Sequence, residues 1–437
     1  MNWENSVVKI NIKAKDIDFN HPLNIFSTSN SSGTGFFISK HLILTCFHVI
    51  KDAINIDILY KQTNNITGKI KYIFPDDDLA IISITDTLDD INILDFKVIN
   101  TRQIGDVYTI GFPLSSTNIK ITKGIISGYQ GSLIQTDATL NAGNSGGPLV
   151  IMDTTDNKFK IIGVNVSKLS GNAEKTGFVV PIYRFIILKE QIVADNSVVI
   201  HKPLFNFDYQ KIIQKELKEN IFRDASLIKY IKLQMGIRIT LLSKTSYLNK
   251  NLKTNDVIIS INSKPVDSNG NIKFDFYPEK ISIDDLGLWF ISDNIVKFKI
   301  LSPDTQTIRT EQIQLKYVKT NLFEYYSLDN YPSYFVENNG LILSIISKQH
   351  MKALKELNLQ MSQIIQIFSR HLYQQDLMTV YLADLDISKI NNAVKYPIGE
   401  IIIEINDKTF NNYNEFIQVT KEPIKKIRTI QNDIYYV

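Results

Sequence analysis

Residues 143–148 read Gly-Asn-Ser-Gly-Gly-Pro, so one serine stands among glycines in a short segment. Glycine tolerates backbone conformations that a Cβ forbids, and such a segment can bend tightly enough to aim neighbouring N–H groups at one point. N–H groups aimed in this way form an oxyanion hole, and a serine beside them becomes a nucleophile when a base is near. The segment therefore predicts Ser145 as a nucleophile, with Gly143, Asn144 and Ser145 forming the oxyanion hole.

A base and an orienting carboxylate precede this serine in the chain. His48 lies in the apolar segment 42–49, and Asp76, Asp77 and Asp78 lie between it and Ser145. Asp78 is the preferred carboxylate because it directly precedes an apolar strand-like segment, although its two neighbours remain alternatives. The order His, Asp, Ser along the chain is that of chymotrypsin-like proteases, not of subtilisins or α/β-hydrolases. The remaining histidines have no comparable context: His21, His41, His201, His350 and His371.

The substrate pocket is predicted from the segments that flank the nucleophile. Its walls are expected from Thr139, Leu140 and Asn141 before Ser145, and from Gly163, Val164 and Asn165 after it. No acidic residue stands at Thr139, the position expected at the pocket base. The sequence therefore predicts a modest apolar side chain in the substrate rather than lysine or arginine.

Cys46, two residues before His48, is the single cysteine of the chain. A redox switch beside the catalytic base is one interpretation, and a small buried apolar side chain is the other. No histidines or cysteines are paired at ligand spacing, so neither a metal nor a cofactor is predicted.

Composition narrows the functional classes. The chain has 437 residues with 44% hydrophobic and 21% charged residues, and its net charge is 48 − 45 = +3. This balance does not favour nucleic acid as a partner, and no apolar run reaches the ~20 residues of a membrane-spanning helix. A single cysteine fits a reducing compartment. No signal or transit peptide is visible at the N-terminus, so an intracellular location is expected, with the compartment left open.

The pattern of strands and turns predicts the domain organisation. Residues 7–185 read as many short, β-branched strands, which favours an all-β barrel architecture. Longer mixed stretches such as 209–217 then suit helices or a linker. A strand-rich module begins at Gly236, and a weaker echo of it follows, with 340–345 resembling its opening and 401–410 its centre. The predicted boundaries are 1–195, 196–225, 226–320 and 321–437.

An ordered series of motifs resembles the HtrA/Deg family of PDZ-containing serine proteases, most closely its plant and eukaryotic Deg branch. The series includes segments 33–38, 105–114, 122–128, 135–138 and 177–181, together with the His48, Asp78 and Ser145 segments. The family usually has Asn-Ala before the histidine, where this chain has Cys46-Phe47. The resemblance implies a mainly β protein: a chymotrypsin-like double β-barrel protease domain followed by two PDZ-like α+β modules.

The same resemblance implies a function and partners. It implies ATP-independent cleavage of unfolded or selected proteins, and homo-oligomers built from trimers through apolar contacts near the N-terminus, for which Phe19 and Phe26 are candidates. Its PDZ modules bind peptides by adding a strand to a sheet edge, here expected at Gly236 and Ile237. Two other functions are considered: a catalytically silent PDZ scaffold or holdase, and a dedicated precursor-processing protease.

Overall fold

The computed structural model describes most of the chain, in segments. The described residues are 2–18, 21–24, 27–61, 64–99, 105–166, 176–192, 198–201, 205, 207–214, 219–227, 230, 235–242, 247–275, 277–285, 295–314, 325–328, 332–347, 378–390 and 396–437. Phe19 and Phe26, predicted as subunit contacts, lie outside them.

The first six strands close into a barrel with the order β1-β2-β3-β6-β5-β4. These strands are β1 (Val7–Lys15), β2 (Thr28–Ser39), β3 (Leu42–Cys46), β4 (Ala53–Tyr60), β5 (Asn64–Phe74) and β6 (Leu79–Ile84), and the short helix α1 (Phe47–Ile50) follows β3. β3 and β6 pair antiparallel, with Cys46 opposite Leu79. Because His48 follows the end of β3 and Asp78 precedes the start of β6, this pairing brings the two residues together.

The next seven strands form a single sheet with the order β8-β7-β11-β12-β13-β10-β9. They are β7 (Val107–Gly111), β8 (Lys120–Gly124), β9 (Ile126–Gln130), β10 (Leu133–Thr136), β11 (Pro148–Asp153), β12 (Lys158–Val166) and β13 (Gly177–Pro181), and helix α2 (Ile182–Ile192) follows them. Ser145 lies in the turn immediately before β11. The mainly β fold predicted from the strand pattern is confirmed.

A second module is built on the sheet β14-β15-β16-β20-β21. Its strands are β14 (Phe207–Lys211), β15 (Ile237–Leu242), β16 (Val257–Ile261), β17 (Lys264–Pro265), β18 (Asn271–Lys273), β19 (Lys280–Ser282), β20 (Ile295–Ser302) and β21 (Thr307–Gln314). β17 pairs with β16, and β18 and β19 form a separate two-stranded sheet. The peptidase half and this module belong to one compact unit.

The expectation of a linker or helix across 196–225 was wrong for β14. Phe207 and Tyr209 pack against the core of the second module and alternate with Asp208 and Gln210, which is the two-residue period of a strand. The module therefore begins before residue 226. The sequence of this segment was ambiguous, because so few residues fit both the helical period of 3.6 residues and the two-residue period of a strand.

A third module lies in the second compact unit and carries the sheet β22-β23-β24-β25-β27-β28. Its elements are β22 (Phe335–Asn338), β23 (Leu341–Ile345), β24 (Val380–Leu385), β25 (Ile401–Ile405), β26 (Lys408–Thr409), α3 (Tyr413–Val419), β27 (Lys426–Thr429) and β28 (Ile434–Tyr436). Short 3-10 helices elsewhere in the chain span Trp3–Asn5, Pro75–Asp77, Pro113–Ser115, Ala225–Leu227 and Tyr247–Lys250.

The second and third modules share a central hairpin. β16 and β17 are joined by Asn262 and Ser263, and β25 and β26 by Asn406 and Asp407, and all four turn residues have positive φ. Residues 340–345, predicted to correspond to the strand that opens the second module, have a different place in the third module. β24, not β23, is the strand that pairs with β25 as β15 pairs with β16. Residues 340–345 therefore do not occupy the place of 236–242.

Candidate active site

His48 and Asp78 form a two-point contact at the rim of the barrel. The Nδ1 atom of His48 lies 2.6 Å from Oδ2 of Asp78, and the backbone N–H of His48 donates to Oδ1 at 2.9 Å. Phe47 N–H donates to the Asp78 carbonyl at 3.0 Å. Asp78 adopts a left-handed conformation, with φ of 53° and ψ of 39°, which is costly for a residue with a side chain and is typical of functional sites.

The three consecutive aspartates have three different partners. Asp76 Oδ2 lies 3.0 Å from Nδ1 of His201, and Asp77 Oδ1 accepts from Nε of Arg184 at 2.6 Å. Asp78 is the carboxylate that contacts His48. The structure thereby selects one residue from the set that the sequence left open.

The loop that carries Ser145 is anchored to β2 and β3. The Ser145 carbonyl accepts from the N–H of Thr34 at 2.8 Å. Gly146 has φ of +84°, and a Cβ at that position would lie 2.2 Å from the Thr34 carbonyl oxygen and 3.0 Å from the backbone nitrogen of Cys46. Only glycine fits this approach. The approach holds the nucleophile loop against the strand end that carries His48.

The peptide between Ala142 and Gly143 has a fixed orientation. The Ala142 carbonyl accepts from the N–H of Leu114 at 2.7 Å. In a trans peptide the N–H and the C=O point in opposite directions, so the Gly143 N–H points away from Leu114. Thr34 holds the other side of Gly143, because its Oγ1 donates to the Gly143 carbonyl at 2.6 Å and accepts from Phe112 N–H at 3.1 Å.

Asn144 does not have the role that the sequence predicted for it. Its backbone N–H donates to the Asn141 carbonyl at 3.0 Å and closes the turn before the nucleophile. An N–H group used in this way is not available to a developing oxyanion. The predicted oxyanion donors are therefore reduced to Gly143 and Ser145.

Leu114 donates its N–H to the Ala142–Gly143 peptide, and its own backbone is in the left-handed conformation. Its φ is 53°, and its side chain is 76% exposed, so burial of the side chain does not explain the strain. We expect Leu114→Pro, which removes the N–H and cannot adopt positive φ, to lower kcat/KM by about 10²- to 10³-fold, the effect of losing one oxyanion donor. Leu114→Gly keeps the N–H and relieves the strain, and it is expected to retain turnover. Peptide hydrolysis measured on both variants checks this, and a Pro variant as active as the Gly variant contradicts it.

Cys46 is fully buried beside the catalytic pair. Its Sγ donates to the carbonyl of Asn165 at 3.3 Å. Burial raises the pKa of the Cys46 thiol well above its usual value, and the charge of Asp78 raises it further. Ligand atoms of Cys46, His48 and Asp78 lie within 4.8 Å of one another. A thiol that retains its proton is a poor metal ligand, so this arrangement favours an inert packing role for Cys46.

The buried thiol leads to a prediction about reactivity. We expect native protein to resist iodoacetamide at pH 8, because Cys46 has a relative exposure of 0% and its raised pKa leaves little thiolate. The same protein unfolded in guanidinium chloride should be alkylated at the rate of a free cysteine. Mass spectrometry of both samples measures the difference. Rapid modification of the folded protein would support the redox interpretation instead.

The six predicted pocket residues lie in two segments beside the nucleophile loop. Thr139 and Asn141 are exposed, whereas Leu140 is buried in the core of the second sheet. Gly163, Val164 and Asn165 are buried on β12, where Gly163 pairs with Leu149 and Val164 with Pro148. The apolar substrate preference stays a prediction.

The predicted peptide-binding position at Gly236 and Ile237 is wrong for the second module. Ile237 pairs with Lys211 of β14 on one side and with Ile258 of β16 on the other. Both edges of β15 are therefore occupied at this point, and no peptide strand can be added there. Among the described strands of this sheet, β14 is the edge strand nearest to the predicted position.

Three residues that contact the Ser145 loop or the aspartate turn were not singled out from the sequence: Thr34, Leu114 and Arg184. A glycine on either side of Thr34 was a visible signal, because a polar side chain between glycines often contacts a neighbouring backbone. Leu114 and Arg184 carry no local signal. Their partners lie far away along the chain.

Comparison with known proteins first defines the class. The sequence profile of the trypsin-like peptidase domain matches residues 33–163, which extend from β2 into β12 and include the His48, Asp78 and Ser145 segments. Solved structures of the HtrA-type protease AlgW with a decapeptide share the fold. One has a TM-score of 0.50 at 20% identity and covers 71% of this chain and 95% of that one. A variant of the same protease has a TM-score of 0.52 at 19% identity, covering 71% and 93%.

Curated relatives are similar to longer parts of the chain. Protease Do-like 3, mitochondrial, of Arabidopsis thaliana is 28% identical over 291 residues, 62% of this chain and 48% of that protein. Protease Do-like 13 of the same plant is 28% identical over 369 residues, which are 80% of this chain and 70% of that protein. A DegP-like periplasmic serine endoprotease of Chlamydia muridarum is 31% identical over 252 residues, which are 54% of this chain and 46% of that protein. Residues 33–163 carry a trypsin-like peptidase domain, and the chain is similar to Do-like and DegP-like serine proteases; it spans about half the length of the first and third of these relatives.

Within the described residues, no helix combines the length and the apolar character needed to cross a bilayer.

Proposed function

We propose that this chain is a serine endopeptidase that cleaves protein substrates through His48, Asp78 and Ser145. The observation that carries the proposal is the two-point contact between His48 and Asp78, with distances of 2.6 and 2.9 Å, beside the anchored Ser145 loop. The trypsin-like peptidase domain and the similarity to Do-like and DegP-like proteases support the same reaction class.

The geometry suggests how the reaction proceeds. Asp78 holds Nδ1 of His48, so Nε2 is free to take the proton of the Ser145 hydroxyl as the oxygen attacks the substrate carbonyl. The N–H groups of Gly143 and Ser145 stabilise the tetrahedral oxyanion. His48 then gives its proton to the leaving amine, which leaves an acyl-enzyme on Ser145. Water activated by His48 hydrolyses this ester and restores the hydroxyl.

The modules beyond the peptidase half are proposed to be PDZ-like and to bind peptide segments. The shared hairpins at 257–265 and 401–409 support two related modules. In the second module the edge of β14 is proposed as the place where a peptide strand adds, because backbone groups on an edge can pair with an extended chain. We also propose ATP-independent action on unfolded or selected proteins and a homo-oligomeric assembly, as the family resemblance implies.

A scaffold or holdase without catalysis is the second candidate, and a dedicated precursor-processing protease is the third. The scaffold or holdase is disfavoured because the His48–Asp78 contact would have no role in a protein that only binds. The processing protease uses the same chemistry and differs only in the range of its substrates.

A fluorophosphonate probe and denatured casein test the proposal together. We expect the purified chain to be labelled once per active site and to degrade unfolded casein without ATP. Labelling without casein cleavage would support a competent site with a narrow substrate range, as in a processing protease. Neither labelling nor cleavage, in every oligomeric fraction from size-exclusion chromatography, would contradict the proposal and favour the scaffold.

A further inference from the structure

Arg184 is a buried cation that the proposed mechanism does not use. It lies in the first turn of α2, and both it and Asp77 are almost fully buried, at 4% and 5% exposure. Its guanidinium donates to Asp77 through Nε and Nη2 and to the hydroxyl of Ser132 through Nη1. Burial is the largest single influence and lowers the pKa of Arg184, but the charges of Asp77, Tyr183 and Asp285 and the hydrogen bond to Asp77 together hold this pKa above its usual value.

The partner of Arg184 is the residue next to the catalytic carboxylate. Asp77 is the last residue of the short helix Pro75–Asp77, and Asp78 follows it in the left-handed conformation. This conformation is costly for aspartate, so the turn needs contacts on both sides to keep it. His48 and Phe47 contact Asp78, and Arg184 holds Asp77.

The second module supplies another carboxylate to the same guanidinium. Oδ1 of Asp285 lies 3.7 Å from Nη2 of Arg184. Nearby, the ring of Tyr277 from the second module packs edge-on between Tyr129 and Tyr183 of the peptidase half, at centroid distances of 5.5 and 5.4 Å. The contact with Asp285 is therefore part of a packed interface within one compact unit.

We propose that Arg184 is a positioning residue for catalysis: it fixes Asp77 and thereby the catalytic geometry of Asp78, and Asp285 of the second module helps to fix Arg184. The inference rests on the proposed proteolysis. Without Arg184, the Asp77 carboxylate would be a buried charge without its cation, and the turn would relax to expose it. Relaxation of the turn would rotate Asp78 away from His48, and a displacement of about 1 Å at a catalytic group lowers turnover by about 10²-fold.

The test uses the full chain and a short peptide substrate. Arg184→Lys keeps the charge but loses the planar fork that reaches Asp77, Ser132 and Asp285 together, and we expect kcat to fall by about 10- to 100-fold with KM within about 3-fold. Asp285→Asn removes only the contact from the second module, and a fall in kcat of about 3- to 10-fold is expected. The double variant Asp77→Asn/Arg184→Gln replaces the ion pair with a neutral hydrogen-bonded pair and should recover much of kcat relative to Arg184→Gln alone.

Arg309→Gln is the matched control. Arg309 forms a comparable pair with Asp256, at 2.6 Å, inside the second module and away from the catalytic turn. Its loss should lower the melting temperature without lowering kcat. If kcat followed the melting temperature across all these variants, or if Arg184→Lys and Asp285→Asn both kept wild-type kcat, the positioning role would be overturned.

A proton NMR measurement separates this inference from the proposed function. A proton on His48 Nδ1 that is shared with Asp78 across the 2.6 Å contact is expected to give a far-downfield resonance. This resonance should weaken or shift in Arg184→Lys and remain in Arg309→Gln, whether or not the protein turns over substrate. An inactive wild type with these NMR results would contradict proteolysis alone, and an unchanged resonance in Arg184→Lys would contradict the positioning role alone.

Discussion

Ser145→Ala is expected to lower kcat for peptide hydrolysis by about 10⁶-fold and to abolish labelling by a fluorophosphonate. Removing the nucleophile of another triad protease has an effect of this size, and the oxyanion hole and substrate binding account for the activity that remains. The fold should survive, because alanine fits the space of the buried Ser145 and differs from serine only by the absent hydroxyl. The measurement is steady-state hydrolysis of a peptide alongside gel-based detection of the probe.

Ser127→Ala is the matched control, since Ser127 is exposed on β9 and takes no part in the site. It should be labelled and should turn over like the wild type. If Ser145→Ala were still labelled at the wild-type rate, the nucleophile would be another residue and the proposed triad would be wrong.

Asp78→Asn is expected to lower kcat by about 10⁴-fold, and the local geometry explains why. The backbone N–H of His48 can only donate, so the amide oxygen of the new asparagine must take the place of Oδ1. The amide NH₂ then faces Nδ1, which has to become an acceptor. The ring proton moves to Nε2, and His48 can no longer take the proton of Ser145.

The rates of Asp78→Asn and Asp76→Asn should be compared over a range of pH. Asp76 has a different partner, His201, and its substitution should change kcat by less than about 3-fold. Similar losses in the two variants would mean that the charge of the turn matters and that the tautomer argument is incorrect. An Asp78→Asn variant with normal kcat would remove Asp78 from the proposed mechanism.

The candidate site residues could be predicted most directly from the sequence. The glycines around Ser145 define a backbone conformation that few other residues permit, and the structure gives Gly143 and Gly146 positive φ. The preference for Asp78 used its position before an apolar strand, and that strand is the buried β6. Short, β-branched strands separated by turns also predicted the mainly β fold.

Errors arose where the outcome depended on a distant partner. β14 is a strand because Lys211 pairs with Ile237, and this pairing also closes the edge where a peptide was expected. Asn144 lost its predicted role because its N–H is used within its own turn. Leu140 packs in the core of the second sheet, and its place in the substrate pocket stays a prediction.

The sequence by itself determined the strand-rich fold and indicated the proposed reacting groups and their order, because these depend on residue type and on local backbone preference. Only the tertiary structure decided which carboxylate contacts His48, which N–H binds the Ala142 carbonyl and which cation contacts Asp77. Arg184 and Asp77 are 107 residues apart in the chain, and Thr34 and Gly143 are 109 apart. Contacts over such separations are made by the packing of strands, so no local pattern in the sequence encodes them.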